Sequence, residues 1–170
     1  MSILDRYASA VRSSNLRSQP NTTFSDPDVI GAFGFAGKHE PLGVALQRLF
    51  TGDNTAAKSV IDVLADKLLG QFSGKLNAAG SRRVAAAVLE WNRNSVCPVC
   101  HGSAYEVVPG TPSLSDKECK ACRGTGKKLF QKQFHKSDLT YADWAQVQIE
   151  IAQSRAGQEA MKAIAPSLDL

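Results

Sequence analysis

Cys97-Pro98-Val99-Cys100 and Cys119-Lys120-Ala121-Cys122, separated by residues 101–118, hold every cysteine of this 170-residue chain. A Cys-x-x-Cys knuckle folds back far enough to set two sulfurs on one ion. Two knuckles therefore complete a tetrahedral site and leave no coordination position for a substrate. The segment must close on itself around the metal, and the metal's role is structural. Zinc is the expected ion, with iron–sulfur ligation as the alternative. Disulfides need an oxidising compartment, whereas Met1–Arg6 lacks a signal-peptide hydrophobic region because Asp5 and Arg6 interrupt it, so a cytoplasmic setting is expected. A redox Cys-x-x-Cys ordinarily stands alone on a strand-to-helix turn rather than in a spaced pair.

The segment 95–126 has too few apolar side chains to fold without the ion. Tyr105, Val107 and Val108 read as a short strand before the Pro109-Gly110 turn, and the second knuckle brings a partner strand back. The rest of the chain reads as helix, with 43% hydrophobic residues and no run near the ~20 apolar residues of a membrane span. Residues 2–14 form a short amphipathic helix, and 13–25 form a linker. Ser25 or Asp26 with Pro27 launches a helix that Gly37 ends. Pro41 starts one that Gly52 stops, Asn54 or Thr55 caps one that runs to Gly70, and Ser81 caps Arg82 to Arg93, with Trp91 on its buried face. The expected fold class is mainly α, with an arm and linker (1–24), a helical body (25–94), an inserted four-cysteine zinc hairpin (95–126) and C-terminal helices of helix-turn-helix character (127–170).

Net charge is only +4, but Lys117, Lys120, Arg123, Lys127, Lys128, Lys132 and Lys136 lie within twenty residues, opposed there only by Glu118. Such a cluster suits phosphate contacts, because each cation that meets a backbone phosphate releases condensed counterions; the competing reading is a solvated face. Phe130 and Phe134 share one face of a helix over 127–136, with Lys128, Lys132 and Lys136 in another row. Thr140, paired with Asp143, caps a second helix from Tyr141. On a helix-turn-helix model Thr140 counts among the DNA contacts and Tyr141, Gln146 and Gln148 reach base edges while Trp144 and Ile149 face inward; an ordinary helix pair is the alternative. His39, His101 and His135 are scattered, His101 reads as a turn residue beside the metal, and no constellation suited to catalysis stands out, so no enzyme and no small-molecule substrate is expected.

Asp28–Ala36, Cys97-Pro98-Val99-Cys100-His101-Gly102-Ser103-Ala104, Lys117-Glu118-Cys119-Lys120-Ala121-Cys122-Arg123-Gly124-Thr125-Gly126 and Leu139-Thr140-Tyr141-Ala142-Asp143-Trp144 together resemble the late-gene antitermination Q proteins of lambda-type bacteriophages, over roughly residues 25 to 150. The resemblance implies a factor that binds double-stranded DNA at a phage late promoter, engages host RNA polymerase paused there with its sigma factor, and makes it read through terminators. Family knuckles often read Cys-x-x-Cys-x-Gly-x-Gly. Here the first ends in Ala104, which predicts a looser turn. Chaperone-type zinc modules share that repeat but carry four knuckles beside a His-Pro-Asp signature, which this chain lacks. A zinc-bearing DNA-binding repressor with no elongation role is the other reading.

Overall fold

A computed structural model describes residues 3–12, 25–108, 110, 111 and 113–165. The expected linker thus lies, apart from Ser25, outside the described residues. Helix α1 spans Ile3–Arg12, α2 Asp26–His39, α3 Pro41–Phe50, α4 Ala56–Gln71, α5 Ala78–Arg93 and α6 Leu139–Ile164; strands β1 (Tyr105–Val107) and β2 (Leu114–Glu118) lie between the last two helices.

The helix starts follow local chemistry. At α2 the Asp28 carboxylate accepts from both the backbone N–H and the hydroxyl of Ser25, each at 2.7 Å, with Pro27 in the first turn. The Ser25 hydroxyl, helped by its backbone N–H, holds the Asp28 carboxyl below its ordinary range. Helix α2 runs through Gly37 to His39, and Pro41 then starts α3, which closes before Gly52 at φ +114°. At α4 the cap chemistry belongs to Asp53, whose carboxylate accepts from the N–H and hydroxyl of Thr55. The start of α5 departs from expectation. Asn77, not Ser81, is the cap, its side-chain oxygen accepting from the Gly80 N–H at 2.7 Å. Ser81 is buried inside the helix, where its hydroxyl donates to the Ala78 carbonyl.

Two apolar clusters share one spine. Leu42, Leu46 and Leu49 of α3, Val60, Leu64 and Leu68 of α4, and Val84, Val88 and Leu89 of α5 pack on Ala142, Ala145, Ile149 and Ala152 of α6. Farther along α6, Ala160 and Ile164 pack with Val29, Phe33 and Ala36 of α2 and with Tyr7 and Ala10 of α1. Helix α1 is fastened there: its Tyr7 ring lies 4.2 Å from that of Phe33, and the Leu4 carbonyl accepts from Gln47 Nε2. The alanines of α6 let neighbouring helices approach closely. At the α3 crossing a Cβ on Gly43 would stand 2.1 Å from the Ala152 carbonyl oxygen, so only glycine fits.

The expected helix-turn-helix does not form. Among residues 127–136 only Phe130–Lys132 makes a single 3-10 turn, and Leu139 and Thr140 belong to α6, which Asp138 precedes. The segment is instead pinned as a strap. Lys128 N–H donates to the Ser95 carbonyl, the Trp91 indole donates to the Lys128 carbonyl at 3.2 Å, and Phe130 packs edge-on against Trp91 and beside Phe134. The phenylalanine spacing that suggested a helix serves to cover the end of α5. Trp91 is accordingly half-buried under this strap.

Candidate metal centre

Each knuckle turns back through the same run of left-handed backbone. His101, Gly102 and Ala104 have φ of +49°, +88° and +70°, and the residues twenty-two positions later, Arg123, Gly124 and Gly126, have +55°, +73° and +69°. The hydrogen bonds repeat as well. Cys97 N–H donates to the Gly126 carbonyl at 2.9 Å, and Cys119 N–H donates to the Ala104 carbonyl at 2.8 Å. Ser103 N–H donates to Cys100 O, and Thr125 N–H to Cys122 O. The Ser103 hydroxyl oxygen accepts from the Tyr105 N–H, and the Thr125 hydroxyl oxygen accepts from the Lys127 N–H. The bridge between Val96 and Lys127 matches the pairing of Glu118 with Tyr105. The module is thus two copies of one backbone unit, each closing the other across a local pseudo-dyad. The sequence carried the signal: CPVCHGSA and CKACRGTG align residue for residue.

The looser turn expected at Ala104 is not found, since its φ matches that of Gly126 within a degree. An alanine held there bears the left-handed strain that glycine escapes. Gly126 has a further constraint: a Cβ would lie 2.6 Å from the Gly102 carbonyl oxygen.

This backbone brings the four sulfurs within 4.8 Å of one another, all four residues being 1% exposed or less. Cys100 Sγ and Cys122 Sγ are 3.7 Å apart. That is far beyond the ~2.05 Å of a disulfide. It matches the edge of a tetrahedron with metal–sulfur bonds of ~2.3 Å, which comes to about 3.8 Å. The four cysteines can therefore hold a metal ion, and they form the only buried cluster of the module among the described residues. Val107 and Leu114, cross-strand partners in the hairpin, are both exposed. Without an ion, nothing apolar holds this segment shut. Burial pushes the Cys100 thiol up, but the backbone N–H groups of Ala104 and Gly102, with Cys122 and Cys97, outweigh it and bring the thiol down to about 7. At Cys119 the backbone N–H of Cys122 pulls the thiol down, yet burial and the neighbouring sulfurs leave it raised. His101 is exposed at the turn and stands outside the four-sulfur set.

The cationic residues are spread over two elements. Lys117 lies in β2, Lys120 and Arg123 in the second knuckle, and Lys127 just after it, all exposed; Lys120 Nζ stands 3.9 Å from the Glu106 carboxylate. Lys128, half-buried, and the exposed Lys132 and Lys136 follow in the strap, so they do not share a helix face. The candidate DNA contacts of α6 fall differently. Thr140 is exposed inside the first turn of α6 rather than capping it. The Tyr141 ring packs edge-on against Phe72, 4.8 Å away, with Trp144 beside it. The Gln146 oxygen accepts from Asn92 at 2.7 Å while its nitrogen donates to Glu150. Gln148 is half-buried, and Ile149 faces the core as expected. Asn92, which holds Gln146 against α5, gave no advance sign of that role.

No model of a known protein family matches the chain, and no curated protein matches it significantly. No helix of the described residues is long and apolar enough to cross a membrane.

Proposed function

We propose that this chain is a zinc-stapled, non-enzymatic transcription factor that binds double-stranded DNA and acts as an antiterminator on host RNA polymerase in the bacterial cytoplasm. The observation that carries the reading is the buried four-sulfur cage. It fixes a hairpin and knuckle bearing Lys117, Lys120, Arg123 and Lys127 in solvent. A rigid display of cations loses less entropy on meeting phosphates than a flexible tail does, and counterion release supplies the driving force. Zinc suits the cage better than an iron–sulfur cluster. Four sulfurs within 4.8 Å of one another leave room for one ion, whereas a multi-iron cluster holds its outer thiolates farther apart. When bound, zinc crosslinks the two knuckles and supplies no chemistry to a substrate.

The antitermination step rests on the resemblance of the knuckles and of Leu139–Trp144 to the lambda-type Q proteins. Tyr141 and Gln146 would have to leave Phe72 and Asn92 to read bases, so phosphate contact is assigned to the module and strap, not to α6. Transcription in vitro from the phage's own late promoter, with a terminator placed far downstream, tests the reading. Read-through in the presence of the protein is expected. Loss of initiation with no change in termination would make it a repressor instead.

A further inference from the structure

A niche of about 180 Å³ opens between the last turns of α5 and the strap, lined by Ala87, Glu90, Trp91, Asn94, Lys128 and Gln133. We infer that this niche receives one unpaired nucleobase, with the adjoining phosphate at Lys128. This deepens the nucleic-acid reading above and rests on it.

Size comes first. Sites that engulf a whole ligand run to ~300–1,000 Å³, so this niche holds part of a ligand and leaves the rest outside, as a base on a strand would be held. Its chemistry is mixed rather than apolar. Trp91 gives an aromatic wall whose N–H is already taken by the Lys128 carbonyl, which fixes the ring in place. Glu90 accepts from the Asn94 amide nitrogen, which leaves the other carboxylate lone pairs and the Asn94 carbonyl oxygen as acceptors. Such acceptors suit the exocyclic amino groups of cytosine, adenine or guanine. No hydrogen bond or ion pair engages the side-chain amide of Gln133 or the Lys128 ammonium among the described residues, the Gln133 backbone N–H being taken by the Phe130 carbonyl. The polar groups of the niche are thus set around an aromatic surface with donors and acceptors to spare. That is the arrangement by which unstacked bases are held on single strands.

Position supports the same reading. The niche lies beside Lys127, where the metal module ends, and the strap continues past it to Lys132 and Lys136. A strand whose phosphates follow those cations passes its mouth. A paired base stays in its stack and cannot enter, so the site discriminates melted from closed nucleic acid.

The test uses the full, metal-loaded protein and four probes of one sequence: a 12-mer single-stranded DNA, the same strand as RNA, the closed duplex, and the duplex with a central unpaired bubble. Tryptophan fluorescence reports the niche and anisotropy of a labelled probe reports affinity. The single strand or the bubble is expected to quench emission while the closed duplex does not; the stronger of DNA and RNA identifies the natural source. Cytosine in the unpaired positions is expected to outperform thymine. Ala87→Leu, which fills the niche and leaves every cation in place, should weaken bubble binding about tenfold, within the range of one base–aromatic stack, and leave duplex affinity unchanged. Trp91→Phe should abolish the quench. Duplex binding without any quench, or Ala87→Leu binding the bubble as the parent does, overturns the inference and leaves the proposed function standing. Failure to bind all four probes overturns both. Quenching by polymerase but by none of the probes reassigns the niche to a protein side chain.

Discussion

Ala104 and Gly126 occupy matching places in two copies of one turn, at φ +70° and +69°, yet substitutions there should act in opposite directions. Alanine in left-handed backbone costs ~1–2 kcal/mol relative to its preferred conformation. Glycine at 104 removes that cost but also enlarges the unfolded ensemble by about 0.4–1 kcal/mol. The net gain for Ala104→Gly is then about 0.5–1 kcal/mol. Folding of the module is coupled to metal binding, so the gain should appear as zinc affinity about two- to fivefold tighter, read by competition with a chromophoric chelator. Gly126→Ala acquires the left-handed cost and also brings a Cβ to 2.6 Å from the Gly102 oxygen. Backbone atoms on both sides must shift, so its loss should exceed ~2 kcal/mol, or about thirtyfold in affinity. If Ala104→Gly weakens zinc binding, the left-handed cost assigned to Ala104 is wrong; if Gly126→Ala is as tight as the parent, the Gly102 contact does not constrain the turn.

Gly43→Ala should destabilise the helical body by roughly 2 kcal/mol: overpacking at the α3–α6 crossing outweighs the ~1 kcal/mol of helix propensity gained, and a thermal melt should fall by about 4–8 °C. Asn77→Ala should cost ~1 kcal/mol in urea unfolding and Ser81→Ala distinctly less, because the first removes the cap of α5 and the second only a hydroxyl bond to the Ala78 carbonyl. Chelation should release one metal ion per chain and flatten amide-exchange protection from 95 to 126 while that of α3–α6 persists. Acid should do the same. Cys100 titrates at about 7, so above that pH it stays thiolate and adds no proton competition; as pH falls through 7 it takes up a proton, and the plot of log affinity against pH should steepen there.

The metal cage was readable because cysteine spacing is a local signal, and the same holds for Pro27, Pro41 and Gly52, which punctuate the chain through backbone geometry alone. Where the reading failed, two structures satisfied one pattern. Phenylalanines four apart at 130 and 134 fit a helix face, but they fit equally a folded strap that covers Trp91, and only the tertiary partner decides between them. Ser81 has the chemistry of a cap and stands before an apolar-periodic run, but the helix starts three residues earlier, at Ala78. Packed against Leu76, Gly80 is helical, and Asn77 takes the role. Gly43 announced nothing, since its need for a bare Cα comes from a helix more than a hundred residues later.

Helix α6, at ~1.5 Å per residue about 39 Å long, serves both apolar clusters, and α5 packs against its first half. The metal module is therefore an excursion that leaves from one packed helix and returns to another. Stripping its ion should convert residues 95–126 into a slack tether whose ends remain clamped by α5 and by the strap packed on Trp91, and ring-closure entropy grows only slowly with such length. Without its ion the chain should accordingly persist as an intact helical scaffold with its cationic finger undone, ready to be rearmed by a single ion without refolding the whole.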